Sequence, residues 1–137
     1  MNKLIGNFIQ PEARVLDLGC GDGSLLAFLR KNNQVRGLGL EIDHQKIQDC
    51  LQKDVNVIDQ DIDSGLSNFQ DQSFDAVIMS QSIQALRKPE VALEEITRIG
   101  KEAIISIPNF ANWRCRLQLI FGGTMPVSSA LPHDWYS

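Results

Sequence analysis

Short apolar runs alternate with segments of helical periodicity along the chain. Five of the runs are almost continuously apolar, as expected of strands covered on both faces; they span residues 15–18, 35–42, 55–58, 74–80 and 103–107. Apolar residues recur at helical spacing between them. Strands that alternate with helices pair in parallel through right-handed crossovers. The pattern therefore predicts an α/β fold with a doubly wound, mostly parallel Rossmann-like sheet.

Local signals define where the helices begin and end. Asp43 is placed to cap a helix whose apolar face carries Ile47, Cys50 and Leu51, and Pro89 suits the first turn of a helix that Gly100 stops. A short amphipathic helix is predicted for residues 1–9 and a last helix for residues 113–121. The 137 residues are predicted to form one domain, residues 1–137.

Composition and charge narrow the class of protein. Apolar residues make up 43% of the chain and the net charge is -4, so the basic face typical of nucleic-acid binding is missing. The sequence has neither a signal peptide nor a stretch long enough to cross a membrane. Its three cysteines lack metal-ligand spacing, which predicts no metal site and indicates reduced thiols in a cytoplasmic protein.

The strongest chemical signal is a glycine loop that follows the first strand and opens a helix. It contains Gly19, Cys20, Gly21 and Gly23 and is preceded by Asp17. Glycines allow a tight turn and a close approach of backbone to ligand, and the helix that follows offers free N–H groups. In this context the loop predicts a cofactor site.

Asp17 decides which cofactor the loop favours. The spacing is GxGxG, and Ser24 stands where a dinucleotide fingerprint would have its third glycine. A carboxylate at this place would repel a pyrophosphate, which argues against an NAD-linked oxidoreductase. It suits a ligand that carries an ammonium group beside a carboxylate. The methionine part of S-adenosylmethionine has both groups, so this cofactor is the prediction.

Acidic residues at the next two strand ends extend the predicted site. Glu41 ends the second strand, where a carboxylate accepts hydrogen bonds from ribose hydroxyls in nucleotide-binding folds. Asp61 follows the third strand and is predicted to accept from the adenine amino group. Ile42 and Ile62 are predicted to enclose the adenine ring. Two neighbouring acids are alternatives to Asp61, namely Asp59 and Asp63.

The end of the fourth strand is the place for an acceptor substrate. Ser80 and Gln81 are predicted to contact the methionine moiety or an acceptor there, with the alternative that they are polar residues without a ligand. Proton removal from an acceptor needs a general base, and the sequence presents none. His44 is expected to be solvated and His133 to be structural or exposed, so the catalytic residues are unknown.

Residues 14–108 resemble class I S-adenosylmethionine-dependent methyltransferases. The resemblance lies in VLDLGCGDG, GLGLEID, Asp61 and the strand SFDAVIMS. The chain is more closely similar to the family of the methionine-biosynthesis protein MetW, almost end to end. NVIDQDID, FDAVIMSQSIQA, IPNFANWRCRLQLIFGGTMPV and LPHDWYS carry that resemblance.

The resemblance implies a role in methionine biosynthesis beside a homoserine O-acyltransferase. It implies S-adenosylmethionine as cofactor, with S-adenosylhomocysteine as the product of any transfer. Two functions stay open: a binding module that modulates the acyltransferase, and a methyltransferase acting on an unknown small molecule. The aromatic segment from Phe110 to Trp135 is either a docking surface or ordinary packing. The family continues through a final pair of strands, so the sheet is expected to lack its last strands.

Overall fold

Six strands form one sheet in the computed structural model, which describes residues 2–80, 86–107 and 115–120. The strands are β1 (Arg14–Leu18), β2 (Arg36–Glu41), β3 (Val57–Asp59), β4 (Ala76–Ser80), β5 (Glu102–Ile107) and β6 (Cys115–Ile120). The helices are α1 (Asn2–Gly6), α2 (Ser24–Asn33), α3 (His44–Gln52) and α4 (Pro89–Ile99), and a 3-10 turn spans Ile62–Ser64.

The order of the strands is β3-β2-β1-β4-β5-β6, and the first five are parallel. The chain therefore leaves β1 toward β2 and β3 and later returns to place β4 on its other side. Ligands of such sheets bind outside the carboxyl ends of the strands at this reversal. The predicted doubly wound, mostly parallel sheet is confirmed, and β1 and β4 flank its switch point.

Successive side chains along each strand point to opposite faces of the sheet, so that a separate core layer forms on each face. Val15 packs with α1, α2 and α3, whereas Leu16 packs with α4 on the opposite face. Ile78 and Met79 of β4 divide between the two layers in the same way. Both faces are buried because helices cover both, which explains why the strands read as continuous apolar runs.

The predicted boundaries of α3 and α4 hold closely, whereas the helix predicted for residues 1–9 is shorter and spans Asn2–Gly6. The Asp43 carboxylate accepts the backbone N–H groups of Gln45 and Lys46 and so caps α3. Helix α4 starts at Pro89 and ends before Gly100, as its sequence signals predict. The third strand is shifted, because Val55 packs in the core beneath α3 and regular pairing starts only at Val57.

The prediction of a last helix over residues 113–121 is wrong. Residues Cys115–Ile120 form β6, which pairs antiparallel with β5 from Glu102↔Ile120 to Ile107↔Cys115. The sequence CRLQLI alternates apolar and polar residues at its start, which is the period of a strand rather than of a helix. The unpaired edge of β5 offers the N–H and C=O groups that this segment needs.

Among residues 2–80, 86–107 and 115–120, no helix has the length and apolar character needed to cross a bilayer. The N-terminal helix α1 instead contributes Ile5 to the core layer that it shares with α2.

Gly39 in the middle of β2 allows the glycine loop to lie directly on the sheet. A Cβ atom at this position would lie 2.8 Å from the Cβ of Cys20 and would also overlap its Sγ atom. Cys20 cannot move away easily, because its Sγ is only 3.8 Å from the Sγ of Cys50. The absence of a side chain at Gly39 therefore sets the height of the loop above β2.

We expect Gly39→Ala to lower the free energy of unfolding by about 2 kcal/mol, since overpacking a close-packed contact costs roughly this much. The matched control is Gly37→Ala on the same strand. A Cβ there would meet the Leu26 Cδ2 at 2.9 Å, the end of a flexible side chain that can rotate. Urea unfolding of the two variants measures the difference, and equal losses would contradict this account of Gly39.

Candidate functional site

The glycine loop forms at the carboxyl end of β1 and adopts a conformation that favours glycine. Gly19, Gly21 and Gly23 have φ angles of 71°, 61° and 84°, in the left-handed region that side chains disfavour. A Cβ at Gly21 would meet no atom within 4 Å, so this residue faces open space. The loop thus presents bare backbone to open space.

Asp17 lies directly beneath this loop and is almost completely buried. Its side chain is 2% exposed, and its Oδ1 atom has no hydrogen-bond partner among the residues that the structure describes. Burial, and next the negative charge of Glu41, raise the pKa of the Asp17 carboxyl to about 8. A buried carboxyl of this kind is stabilised by a cation or donor that approaches its free oxygen.

At the N-terminus of α2, the carboxylate of Asp22 accepts a hydrogen bond from the helix backbone. Asp22 Oδ1 accepts from the backbone N–H of Ser24 at 3.0 Å and from its hydroxyl at 2.6 Å. These hydrogen bonds lower the pKa of the Asp22 carboxyl, the Ser24 hydroxyl contributing most. A pyrophosphate would bind at this helix end in a dinucleotide fold. The Asp22 carboxylate there disfavours such an anion, which counts against the NAD alternative.

Glu41 joins the end of β2 to the glycine loop. Its Oε1 accepts the Gly21 N–H at 2.8 Å, and its Oε2 accepts the N–H groups of Ile42 and Asp43 at 3.1 Å each. A carboxylate has about four acceptor positions, so three of them are used by the backbone. One acceptor position, on Oε1, is therefore left for the predicted ribose contact.

Helix α3 holds the other side of the same loop. The Cys50 thiol donates to the Gly21 carbonyl at 3.2 Å, and the Lys53 ammonium donates to the Asp22 carbonyl at 3.0 Å. Gly21 is thus held at its N–H by β2 and at its C=O by α3. The orientation of its two peptide groups depends on both elements.

Asp61 and Ile62 lie beyond β3, at the entrance to the 3-10 turn. The Asp61 Oδ1 accepts the backbone N–H of Asp63 at 2.9 Å and caps the turn. Ile62 packs partly against the core layer of α4. Ile42 stands 58% exposed beside Glu41, a large apolar surface at the carboxyl edge of the sheet.

The acids that competed with Asp61 have other contacts. Asp63 accepts the backbone N–H of Arg87 at 3.2 Å and forms an ion pair with its side chain at 3.5 Å. Asp59 Oδ2 lies 3.3 Å from the Nε2 atom of His44. Each of the three acids thus has a partner within the protein, and Asp61 as the adenine ligand stays a prediction.

The structure gathers most of the predicted residues at one edge of the sheet. Register pairs Leu18 with Leu40, so the loop that follows β1 and the Glu41 that ends β2 are adjacent. Ser80 ends β4, which pairs with β1 on the other side. Gln81 lies outside the described residues, as does the segment from Phe110 to Trp135, apart from the backbone of β6.

Three residues at the loop were missed by the sequence prediction. Asp22 had a local signal, because an Asp two residues before a Ser at a helix start is typical of an Asx turn. Cys50 and Lys53 had none, since their contacts with the loop join positions about 30 residues apart.

A separate cavity of about 600 Å³ opens at the opposite, amino-terminal edge of β1 and β2. Arg14, Arg30 and Arg36 are among its lining residues. Arg14 is paired with Asp75 at 3.4 Å, and Arg30 donates to the backbone carbonyl of Lys53 at 2.7 Å. Two of its three arginines are therefore engaged within the protein.

Comparison with known proteins identifies the family. A family profile described as methionine biosynthesis protein MetW matches residues 2–137. The bifunctional methionine biosynthesis protein MetXA/MetW of Rhodopirellula baltica is 35% identical over 138 residues. That alignment covers 94% of this chain but only 22% of the relative, so the chain spans about a fifth of it.

Solved structures share the fold. An S-adenosylmethionine-dependent methyltransferase of Thermotoga maritima superposes with a TM-score of 0.64 at 25% identity, over 78% of this chain and 50% of that protein. The [4+2]-cyclase SpnF superposes with a TM-score of 0.69 at 22% identity, over 80% of this chain and 45% of that protein. The second likeness concerns the fold alone. Together with the profile match, these comparisons confirm the resemblance: the chain belongs to the methionine biosynthesis protein MetW family and has the fold of class I S-adenosylmethionine-dependent methyltransferases.

Proposed function

We propose that this chain binds S-adenosylmethionine at the glycine loop and acts with a homoserine O-acyltransferase in methionine biosynthesis. The observation that carries the binding proposal is the buried Asp17 Oδ1, which has no hydrogen-bond partner within the described part of the chain. An ammonium group satisfies both its hydrogen-bonding capacity and its charge. S-adenosylmethionine carries such a group on its methionine part.

The rest of the site supports the same ligand. The open space beside Gly21 supports an approach of the methionine moiety to the backbone there. Glu41 is placed to accept from the ribose, Ile42 to cover the adenine and Asp61 to accept from its amino group. Ile62, Gly19, Cys20, Gly23, Ser80 and Gln81 complete the proposed set. Bound S-adenosylmethionine supplies an electrophilic methyl group on a sulfonium.

The proposed partner follows from the family and from gene fusion. In the relative from Rhodopirellula baltica, a MetXA part and a MetW part share one polypeptide, and MetX is a homoserine acyltransferase. Parts that are fused in one protein work together in it. We infer that this chain binds the separate acyltransferase. Binding of S-adenosylmethionine, the end product of the route, to this chain would then change the activity of that enzyme. This coupling requires that the ligand bind two states of the complex with different affinity.

Methyl transfer to a small molecule is the second candidate, favoured by the likeness to the Thermotoga maritima methyltransferase. It differs from the first in one measurable product, S-adenosylhomocysteine. Production of S-adenosylhomocysteine by the purified chain with any small acceptor would establish it. If a broad screen of acceptors gives no S-adenosylhomocysteine, methyl transfer is excluded and the binding function is kept.

Replacing either acid should weaken the binding of S-adenosylmethionine and S-adenosylhomocysteine. We expect Asp17→Asn and Glu41→Gln each to raise the Kd about 10- to 100-fold, the effect of losing a hydrogen bond to a charged group. Isothermal titration calorimetry measures the change. The matched control is Glu94→Gln, an exposed carboxylate on α4, which should bind as the wild type does. Equal affinity of Asp17→Asn and wild type would refute the proposed site.

Binding should also release a proton from Asp17. With a pKa of about 8, the free carboxyl is mostly protonated at pH 7. An ammonium group beside it favours the ionised form, so the bound state has the lower pKa. We expect net release of protons on binding at pH 7, and a release that falls as the pH rises above the pKa of the free carboxyl. Calorimetry in buffers of different ionisation enthalpy counts the protons, and Asp17→Asn should release none from this group.

The partnership has its own test. Affinity-tagged chain is mixed with the homoserine O-acyltransferase of the same organism, and co-purification and the rate of homoserine acylation are measured with and without S-adenosylmethionine. We expect a stable complex whose acylation rate responds to the ligand. Glu41→Gln should still form the complex but lose the response. An acyltransferase that neither co-purifies nor changes its rate would exclude the partnership.

A further inference from the structure

Two cysteine thiols meet beneath the glycine loop, and the proposed binding function uses neither for chemistry. Cys20 belongs to the loop and is 8% exposed, and Cys50 belongs to α3 and is fully buried. Their Sγ atoms are 3.8 Å apart, and both thiols are free. We propose that Cys20 and Cys50 form a reversible disulfide that loosens the glycine loop and weakens its ligand site.

The geometry favours this bond over other thiol reactions. A disulfide has an S–S distance of about 2.05 Å, so the two sulfurs need to approach by less than about 2 Å. Cys20 lies in the loop between β1 and α2, where its N–H donates to the Leu40 carbonyl in the closed protein, so opening of the loop supplies the movement. In the closed loop both residues are buried, so a large modifying group cannot stay attached there, whereas a bond between the two cysteines adds no atoms.

The reaction balances as thiol–disulfide exchange with a small disulfide such as oxidised glutathione. One protein thiolate attacks the oxidant, forms a mixed disulfide and expels one glutathione thiolate. The second protein thiolate then attacks that bond, closes the Cys20–Cys50 disulfide and expels the other. The protein loses two protons and two electrons, and the oxidant becomes two glutathione thiols.

Burial also sets the rate of this exchange. It raises the pKa of the Cys20 thiol and of the Cys50 thiol, and the attacking species is the thiolate. The exchange is therefore slow in the closed protein and proceeds when the loop opens to water. A ligand that holds the loop closed should protect both thiols.

The expected loss of affinity follows from the hydrogen bond that the Cys50 thiol donates. Its thiol donates to the Gly21 carbonyl at 3.2 Å, and a disulfide sulfur has no proton to donate. Gly21 would then be held only from its N–H, by Glu41. Because Cys20 must also move toward Cys50, the conformation of the loop changes on both sides of Gly21. The predicted loss of affinity rests on the proposed S-adenosylmethionine site, whereas the predicted disulfide does not.

The test uses the full chain with Cys115→Ser, which removes the remaining cysteine. The protein is equilibrated in glutathione buffers of graded potential, free thiols are alkylated, and peptides are mapped by mass spectrometry. We expect a linked peptide pair containing Cys20 and Cys50 and a mass lower by two hydrogens. Saturating S-adenosylhomocysteine should slow its formation at least fivefold. The further variant Cys50→Ser should form no such species.

Two readouts separate the inference from the proposed function. Hydrogen exchange should become faster in the peptide that covers residues 19–24 of the oxidised protein, with no ligand present. The Kd for S-adenosylhomocysteine should rise at least tenfold on oxidation and return after dithiothreitol. A folded protein that stays dithiol throughout, or a disulfide that leaves loop exchange unchanged, would overturn the inference. A reduced protein that binds no ligand would instead count against the proposed function, while the linkage and exchange readouts still decide the disulfide.

Discussion

Asp17 occupies the end of the central strand with its carboxyl group out of water, and the rest of the site is arranged around it. Neighbouring strands pack on both sides of β1, since Asp17 pairs in register with Gly39 and with Ile78. The glycine loop covers it from above. A carboxyl in this position costs free energy when ionised and unpaired, and a cation that enters the site removes that cost. The proposed ammonium site follows from this burial.

The glycine loop has two anchors of different character. From β2, Glu41 holds the Gly21 N–H through a charge-assisted hydrogen bond, and from α3 the Cys50 thiol holds the Gly21 carbonyl through a weak one. Gly39 keeps the loop low enough for both contacts. Because the second anchor is a thiol beside another thiol, the same arrangement that shapes the ligand site also makes it sensitive to oxidation.

The sequence predicted the parts of this protein that depend on local chemistry. The Asp43 cap, the Pro89 start and the glycine turn follow from residue types at fixed offsets, and the structure confirms them. The helix predicted for residues 113–121 is wrong because CRLQLI alternates with the period of a strand, and the free edge of β5 pairs with it. The contacts of Cys50 and Lys53 with the loop depend on how α3 packs, which no local pattern encodes. The ligand contacts of Asp61 and Gln81 remain predictions.

The pKa of Asp17 tests the central claim most directly. It is measured by following the ¹³Cγ resonance of labelled aspartate against pH, with Asp17→Asn to assign the signal. The account predicts a pKa near 8 in the free protein, in line with the burial of the group, and a pKa that falls toward the ordinary 3.8 of an aspartate when S-adenosylhomocysteine is bound. A pKa that stays unchanged on saturation with the ligand, or that is already ordinary in the free protein, would contradict it.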